Sequence, residues 1–60
     1  MENIVIRLDG RYALIERKGA IESFVVACGY DAKSGEWEQG YYYQDYEEAS
    51  RQWWTMVALD

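Results

Sequence analysis

Apolar and polar residues alternate over residues 3–8, with Ile4, Ile6 and Leu8 on one side, and Asp9-Gly10 then carries the composition of a type I′ hairpin turn. A second strand is predicted from Arg11 to Arg17. The loop around Lys18-Gly19 leads into Ser23-Phe24-Val25-Val26-Ala27-Cys28, a β-branched and aromatic run that suits a strand better than a helix. Asp31-Ala32-Lys33-Ser34-Gly35 makes a third turn. Trp37 to Tyr43 makes a fourth strand, since consecutive tyrosines fit a pleated surface. Beyond Asp45 the period changes: at about 100° per residue, Tyr46, Ala49, Ser50, Trp53, Met56 and Val57 form one stripe, flanked by Trp54. Asp45 is a good N-cap, Glu48 completes a capping-box pattern, and Glu47 and Glu48 sit where the helix dipole favours negative charge. The predicted fold is α+β, a single domain over residues 1–60: a four-stranded antiparallel β-meander with one C-terminal helix packed on one face (ββββα).

Loop lengths set the expected registers. A two-residue loop at Asp9-Gly10 pairs Leu8 with Arg11, Ile6 with Ala13 and Ile4 with Ile15. A four-residue loop over Lys18 to Ile21 pairs Arg17 with Glu22, Ile15 with Phe24 and Ala13 with Val26. A four-residue loop over Ala32 to Gly35 pairs Tyr30 with Trp37, Cys28 with Gln39, Val26 with Tyr41 and Phe24 with Tyr43. The face under the helix then holds Ile4, Ile6, Leu8, Ala13, Ile15, Phe24, Val26, Cys28, Tyr41 and Tyr43. The opposite face holds Val5, Tyr12, Leu14, Val25, Ala27 and Tyr42, with Arg7, Glu16 and Glu38 around them. A slip of one residue exchanges the two faces of a strand, so these assignments stand or fall with the registers.

Sixty residues bury only roughly 60% of the surface exposed by the unfolded chain, which leaves a marginal core. Aromatic residues, 17% of the chain, supply the bulk that staples supply elsewhere. Cys28 is the single cysteine, so an intramolecular disulfide is excluded and a reducing, cytoplasmic setting is expected. The first residues lack the basic and apolar regions of a signal peptide or a membrane span. The formal charge of −5 is uneven. Arg7, Arg11, Arg17 and Lys18 outnumber Glu2, Asp9 and Glu16 in the first twenty residues, whereas Lys33 and Arg51 face eight carboxylates in the remainder. Direct nucleic-acid binding is not expected, because phosphate contacts need a cationic surface.

Histidine is absent, which removes the usual general base and the commonest imidazole metal ligand. The five glycines are scattered rather than clustered into a phosphate-cradling loop. Cys28 reads as a buried apolar residue. Asp31 to Glu36 resembles the start of a calcium loop only until Lys33 takes a ligand position, so it reads as a turn. Glu36 and Glu38 read as solvated charges, and the Trp37 and Tyr41-Tyr42-Tyr43 aromatics lack the basic groove of a single-strand stacking platform. No enzyme activity and no cofactor are expected.

The expected function is a non-enzymatic protein-interaction module working through the face that one helix cannot cover. The candidate interface is Val5, Tyr12, Leu14, Val25 and Tyr42, and the partner is another protein or a second copy, not a membrane. The alternative is an acidic mimic of nucleic acid, using Asp31, Glu36, Glu38, Asp45, Glu47 and Glu48 against a nucleic-acid-binding protein. The stretches Tyr12 to Arg17, Phe24 to Asp31 and Gly35 to Tyr43 resemble small bacterial proteins of no assigned activity, often carried near mobile elements, a resemblance spanning residues 12 to about 49. Strands followed by Asp45-x-Glu47-Glu48-Ala49 opening a helix also resemble the antitoxin half of toxin–antitoxin pairs, which implies an antitoxin-like partner role.

Overall fold

The computed structural model describes residues 2–59. Four strands, β1 (Glu2–Asp9), β2 (Tyr12–Lys18), β3 (Phe24–Cys28) and β4 (Gln39–Tyr43), precede one helix, α1 (Tyr46–Leu59). The strands form one antiparallel sheet in the order β1-β2-β3-β4, the predicted meander, and α1 lies against β2, β3 and β4. The helix begins directly after Asp45, whose carbonyl accepts its first hydrogen bond from the Ala49 N–H at 3.2 Å. Glu47 and Glu48 occupy the first turn. Ala49 and Trp53 are buried, Met56 and Val57 pack beside them, and Tyr46 meets Phe24 edge-on with ring centroids 5.4 Å apart. The helical stripe is therefore the predicted one, with Trp54 at its edge and 53% exposed.

Two of the three expected registers differ. The first loop is Gly10-Arg11, not Asp9-Gly10, since Asp9 pairs with Tyr12. Gly10 has φ 59° and no non-glycine residue among those described has a positive φ, which suits a type II′ turn rather than type I′. Ile6 is the extra residue of a β-bulge: Leu8 pairs with Ala13 and Arg7 with Leu14, but Val5 pairs with Ile15 and Ile4 with Glu16. Between β2 and β3 the pairing is Leu14 with Val26 and Ile15 with Val25, one residue from expectation. The chain leaves β2 late, so that the Arg17 N–H bonds the Ser23 carbonyl at 2.6 Å where pairing with Glu22 was expected. The β3–β4 register is as expected, Phe24 with Tyr43 and Val26 with Tyr41.

The single-residue slip turns β2 over. Tyr12 and Leu14, expected on the uncovered face, lie under the helix: Leu14, Val26, Ala49 and Trp53 form a buried cluster with Tyr12, Phe24 and Tyr43 around it. Ala13 and Ile15, expected there, project to the other side with Val25 and Ala27. Ile6, Leu8 and Tyr41, also expected in the core, are exposed, and Ile4 is half-buried. Ala13, Leu14 and Ile15 are all buried, so the amount of apolar burial does not make the choice; the seating of Trp53 against β2 does. The Trp53 indole N–H donates to the Tyr12 carbonyl at 3.2 Å, satisfying its one polar atom while the ring fills the space between helix and sheet.

Trp53→Ala is expected to cost about 3–5 kcal/mol, as much as the core of so small a domain supplies, and to leave the chain largely unfolded at 25 °C. Trp54→Ala should retain a cooperative transition. Urea denaturation followed by circular dichroism distinguishes the two, and a Trp53→Ala protein melting like its parent would contradict the packing.

Candidate interaction site

The face away from α1 is roofed by the chain's own β3–β4 connection. Gly29, at φ 71°, ends the alternation of β3 in the left-handed region that other residues avoid. Without that break Tyr30 would follow Phe24 and Val26 to the helix side; instead Tyr30 and Trp37 pack on Ala13, Ile15, Val25 and Ala27, all 0–1% exposed. The row Ala13–Ala27–Gly40 runs across three strands and makes a shallow trough. A Cβ added at Gly40 would lie 2.9 Å from the Trp37 indole nitrogen and 3.0 Å from Val25 Cγ2, so glycine is what lets the ring down onto the sheet. The Trp37 indole N–H donates to the Tyr42 hydroxyl at 3.3 Å, and the Arg17 guanidinium stacks 4.9 Å from the Tyr42 ring centroid. Asn3 lines one shallow recess with Gly35, Glu36 and Trp37, which carries the roof as far as β1.

This arrangement redraws the candidate interface. Val5, Val25 and Tyr42 are on the roofed face as expected, but Val25 is fully buried beneath the roof. Tyr12 and Leu14 are on the helix side and present nothing there. What stays exposed is Val5 (40%), Tyr42 (40%) and Leu8 (50%), which shares the face through its pairing with Ala13. The apolar surface thus gathers on β1, where every residue except Ile4 is exposed and Ile6 adds to it at the bulge. On the helix side, the Arg7 guanidinium lies 5.6 Å from the Trp54 ring centroid. Among the described residues β1 pairs with β2 alone, which leaves its other edge as a row of backbone donors and acceptors.

The six candidate acidic residues fall into two groups along the chain. Asp31, Glu36 and Glu38 are at the connection before β4, and Asp45, Glu47 and Glu48 follow its other end, about 17 Å away for a five-residue strand. The first group also has local work. The Asp31 carboxylate accepts the Lys33 N–H at 2.9 Å, the Asp31 carbonyl accepts the Gly35 N–H at 2.7 Å, and Glu38 reaches across Gly29 to Arg11 at 3.3 Å. The segment likened to a calcium loop is thus a self-bonded turn. Among the described residues no three His, Cys, Asp or Glu side chains gather as a metal site.

Cys28 is buried and its thiol pKa is raised by desolvation, partly opposed by Arg11. Tyr43 faces Glu48 across the groove between β4 and α1, and its pKa is raised by burial first and by the charges of Glu48 and Tyr41 next. Neither group is set up as a nucleophile or base at neutral pH. No family model matches this chain, and no curated protein or solved structure matches it either. No helix among the described residues is long and apolar enough to cross a membrane.

Sequence reasoning missed the roof and, with it, the weight that falls on Leu8 and Ile6. The signal was present as three small residues, Ala13, Ala27 and Gly40, facing a large ring at Trp37, but it is readable only in the correct register.

Gly40→Ala should cost about 1–3 kcal/mol, because the trough is filled, and should shift the Trp37 indole N–H resonance. An unchanged resonance and stability would contradict the seating of Trp37. Tyr43 should make the fold sensitive to alkali. With the folded pKa above the unfolded value of about 10, its stabilising share is complete below pH 10 and lost as pH rises through the folded pKa. Tyr43→Phe should remove that part of the loss in a pH series of urea midpoints, and an identical alkaline decline in both proteins would contradict it.

Proposed function

We propose that this chain is a non-enzymatic protein-interaction module whose recognition element is the free edge of β1 together with Val5 and Leu8 beside it. The observation that carries this reading is the eight-residue β1, paired on one side only and exposed at all but one position. Long open edges offer backbone groups to any extended chain and are normally shortened, covered, charged or bulged; β1 has charges at Glu2, Arg7 and Asp9 and the bulge at Ile6, but it is neither short nor covered. Here α1 covers the other three strands, and the apolar residues Val5, Ile6 and Leu8 stand at the edge left over. Strand addition would supply affinity through main-chain bonds, while alternate side chains would select the partner. The reading as an acidic mimic of nucleic acid has less support, since its carboxylates fall into two groups and Glu38 is paired with Arg11.

The test is retention of protein from a lysate of the native host on the immobilised chain, beside Leu8→Lys and Glu47→Lys variants. Both substitutions are on the surface: Leu8→Lys should change stability by no more than about 0.5 kcal/mol, and Glu47→Lys, which reverses a charge in the first turn of the helix, by about 1 kcal/mol. A partner recognised by β1 should be lost with Leu8→Lys, kept with Glu47→Lys and insensitive to salt. Retention that survives Leu8→Lys but fails with Glu47→Lys or in high salt would contradict the proposal in favour of charge mimicry.

A further inference from the structure

We infer that β1 pairs antiparallel with β1 of a second copy of this chain, centred on Leu8, so that Leu8 faces its counterpart and Arg7 of each copy faces Asp9 of the other. This rests on the edge-strand reading and names its partner. The two-residue Gly10-Arg11 loop makes Asp9 and Tyr12 the closing pair of a hairpin, which exchange their N–H and C=O groups with each other. The next residue along β1 is Leu8, so by alternation its N–H and C=O point away from β2, to the free edge. Leu8 is also half exposed, the most exposed of the apolar residues on this strand.

Symmetry and charge then select the register. A two-fold axis normal to the sheet makes one continuous sheet and keeps each face on its own side, so only residues of like face can oppose. On β1 the pairings place Asn3, Val5 and Leu8 on the roofed face, and Glu2, Ile4, Arg7 and Asp9 on the helix side. The bulge at Ile6 breaks the alternation between the two halves. Matching faces along the whole strand would bring Glu2 of each copy against Asp9 of the other, two like-charge contacts, with the bulge in the middle. Centring on Ile4 or on Val5 matches faces only in the first half of the strand, the latter setting Asn3 against Arg7 of the opposite face, and neither brings opposite charges together. Centring on Leu8 matches faces across residues 7–9 and sets two Arg7–Asp9 pairs on the helix side, where Arg7 is already held over Trp54. So short a pairing belongs to the weak, concentration-dependent class of interfaces.

The experiment is oxidation of Leu8→Cys and Val5→Cys variants, followed by non-reducing electrophoresis. Directly opposed residues of a hydrogen-bonded pair have Cα atoms about 5.5 Å apart, within disulfide reach. Two Val5 positions in the Leu8-centred register would be separated by about 20 Å along the strands. Leu8→Cys should cross-link to a covalent dimer and Val5→Cys should not; equal cross-linking, cross-linking favoured at Val5, or none would overturn the pairing. In sedimentation, Arg7→Asp or Asp9→Arg alone should weaken self-association about tenfold, and the two together should restore it. Failure of the double variant to recover, with its melting intact, would also overturn the register. If cross-linking fails while lysate retention still depends on Leu8, the edge strand serves another partner; if both fail, the edge reading falls with it.

Discussion

The seating of Trp53 between helix and sheet is the contact on which the rest depends. Its ring fills the space over Leu14 and Val26, and its single polar atom is satisfied by the Tyr12 carbonyl. That combination couples α1 to β2 by both volume and direction. Once Trp53 is in place, β2 must present Tyr12 and Leu14 to the helix, and Ala13 and Ile15 must project the other way. A short chain with no disulfide has few other sources of order, so one large, satisfied side chain sets the phase of a central strand.

That phase decides what happens on the far face. Ala13 comes into line with Ala27 and Gly40, and the resulting trough accepts Tyr30 and Trp37 from the β3–β4 connection. The sheet therefore has cover on both sides, from the helix on one and from its own hairpin tip on the other. Neither cover extends fully over β1, because α1 is taken up with β2, β3 and β4. The exposed Val5, Ile6 and Leu8 follow from this division of a small amount of covering material.

The helix and the β3–β4 hairpin were legible in the sequence for physical reasons. An amphipathic period of 3.6 beginning at Asp45 has few alternatives, and the turn from Asp31 to Gly35 is closed by its own side-chain and backbone bonds. β2 was not legible, because Tyr12-Ala13-Leu14-Ile15 is apolar at every position and alternation cannot decide which residues face the helix. Loop length had to decide instead, and Asp9-Gly10 and Gly10-Arg11 are both reasonable two-residue turns. The Ile6 bulge left no mark in composition. Of the candidate interface, Val5 and Tyr42 survive as surface residues, Val25 is buried, and Tyr12 and Leu14 belong to the opposite side.

The central claim, that Trp53 phases β2 and thereby creates the trough under Trp37, is tested most directly by proton–proton distances in solution. Nuclear Overhauser contacts should link the Leu14 methyls to the Trp53 indole, and the Ala13 and Ile15 side chains to Trp37 or Tyr30. Contacts from Ala13 or Ile15 to Trp53, with Leu14 near Tyr42, would show β2 in the opposite phase and contradict the account.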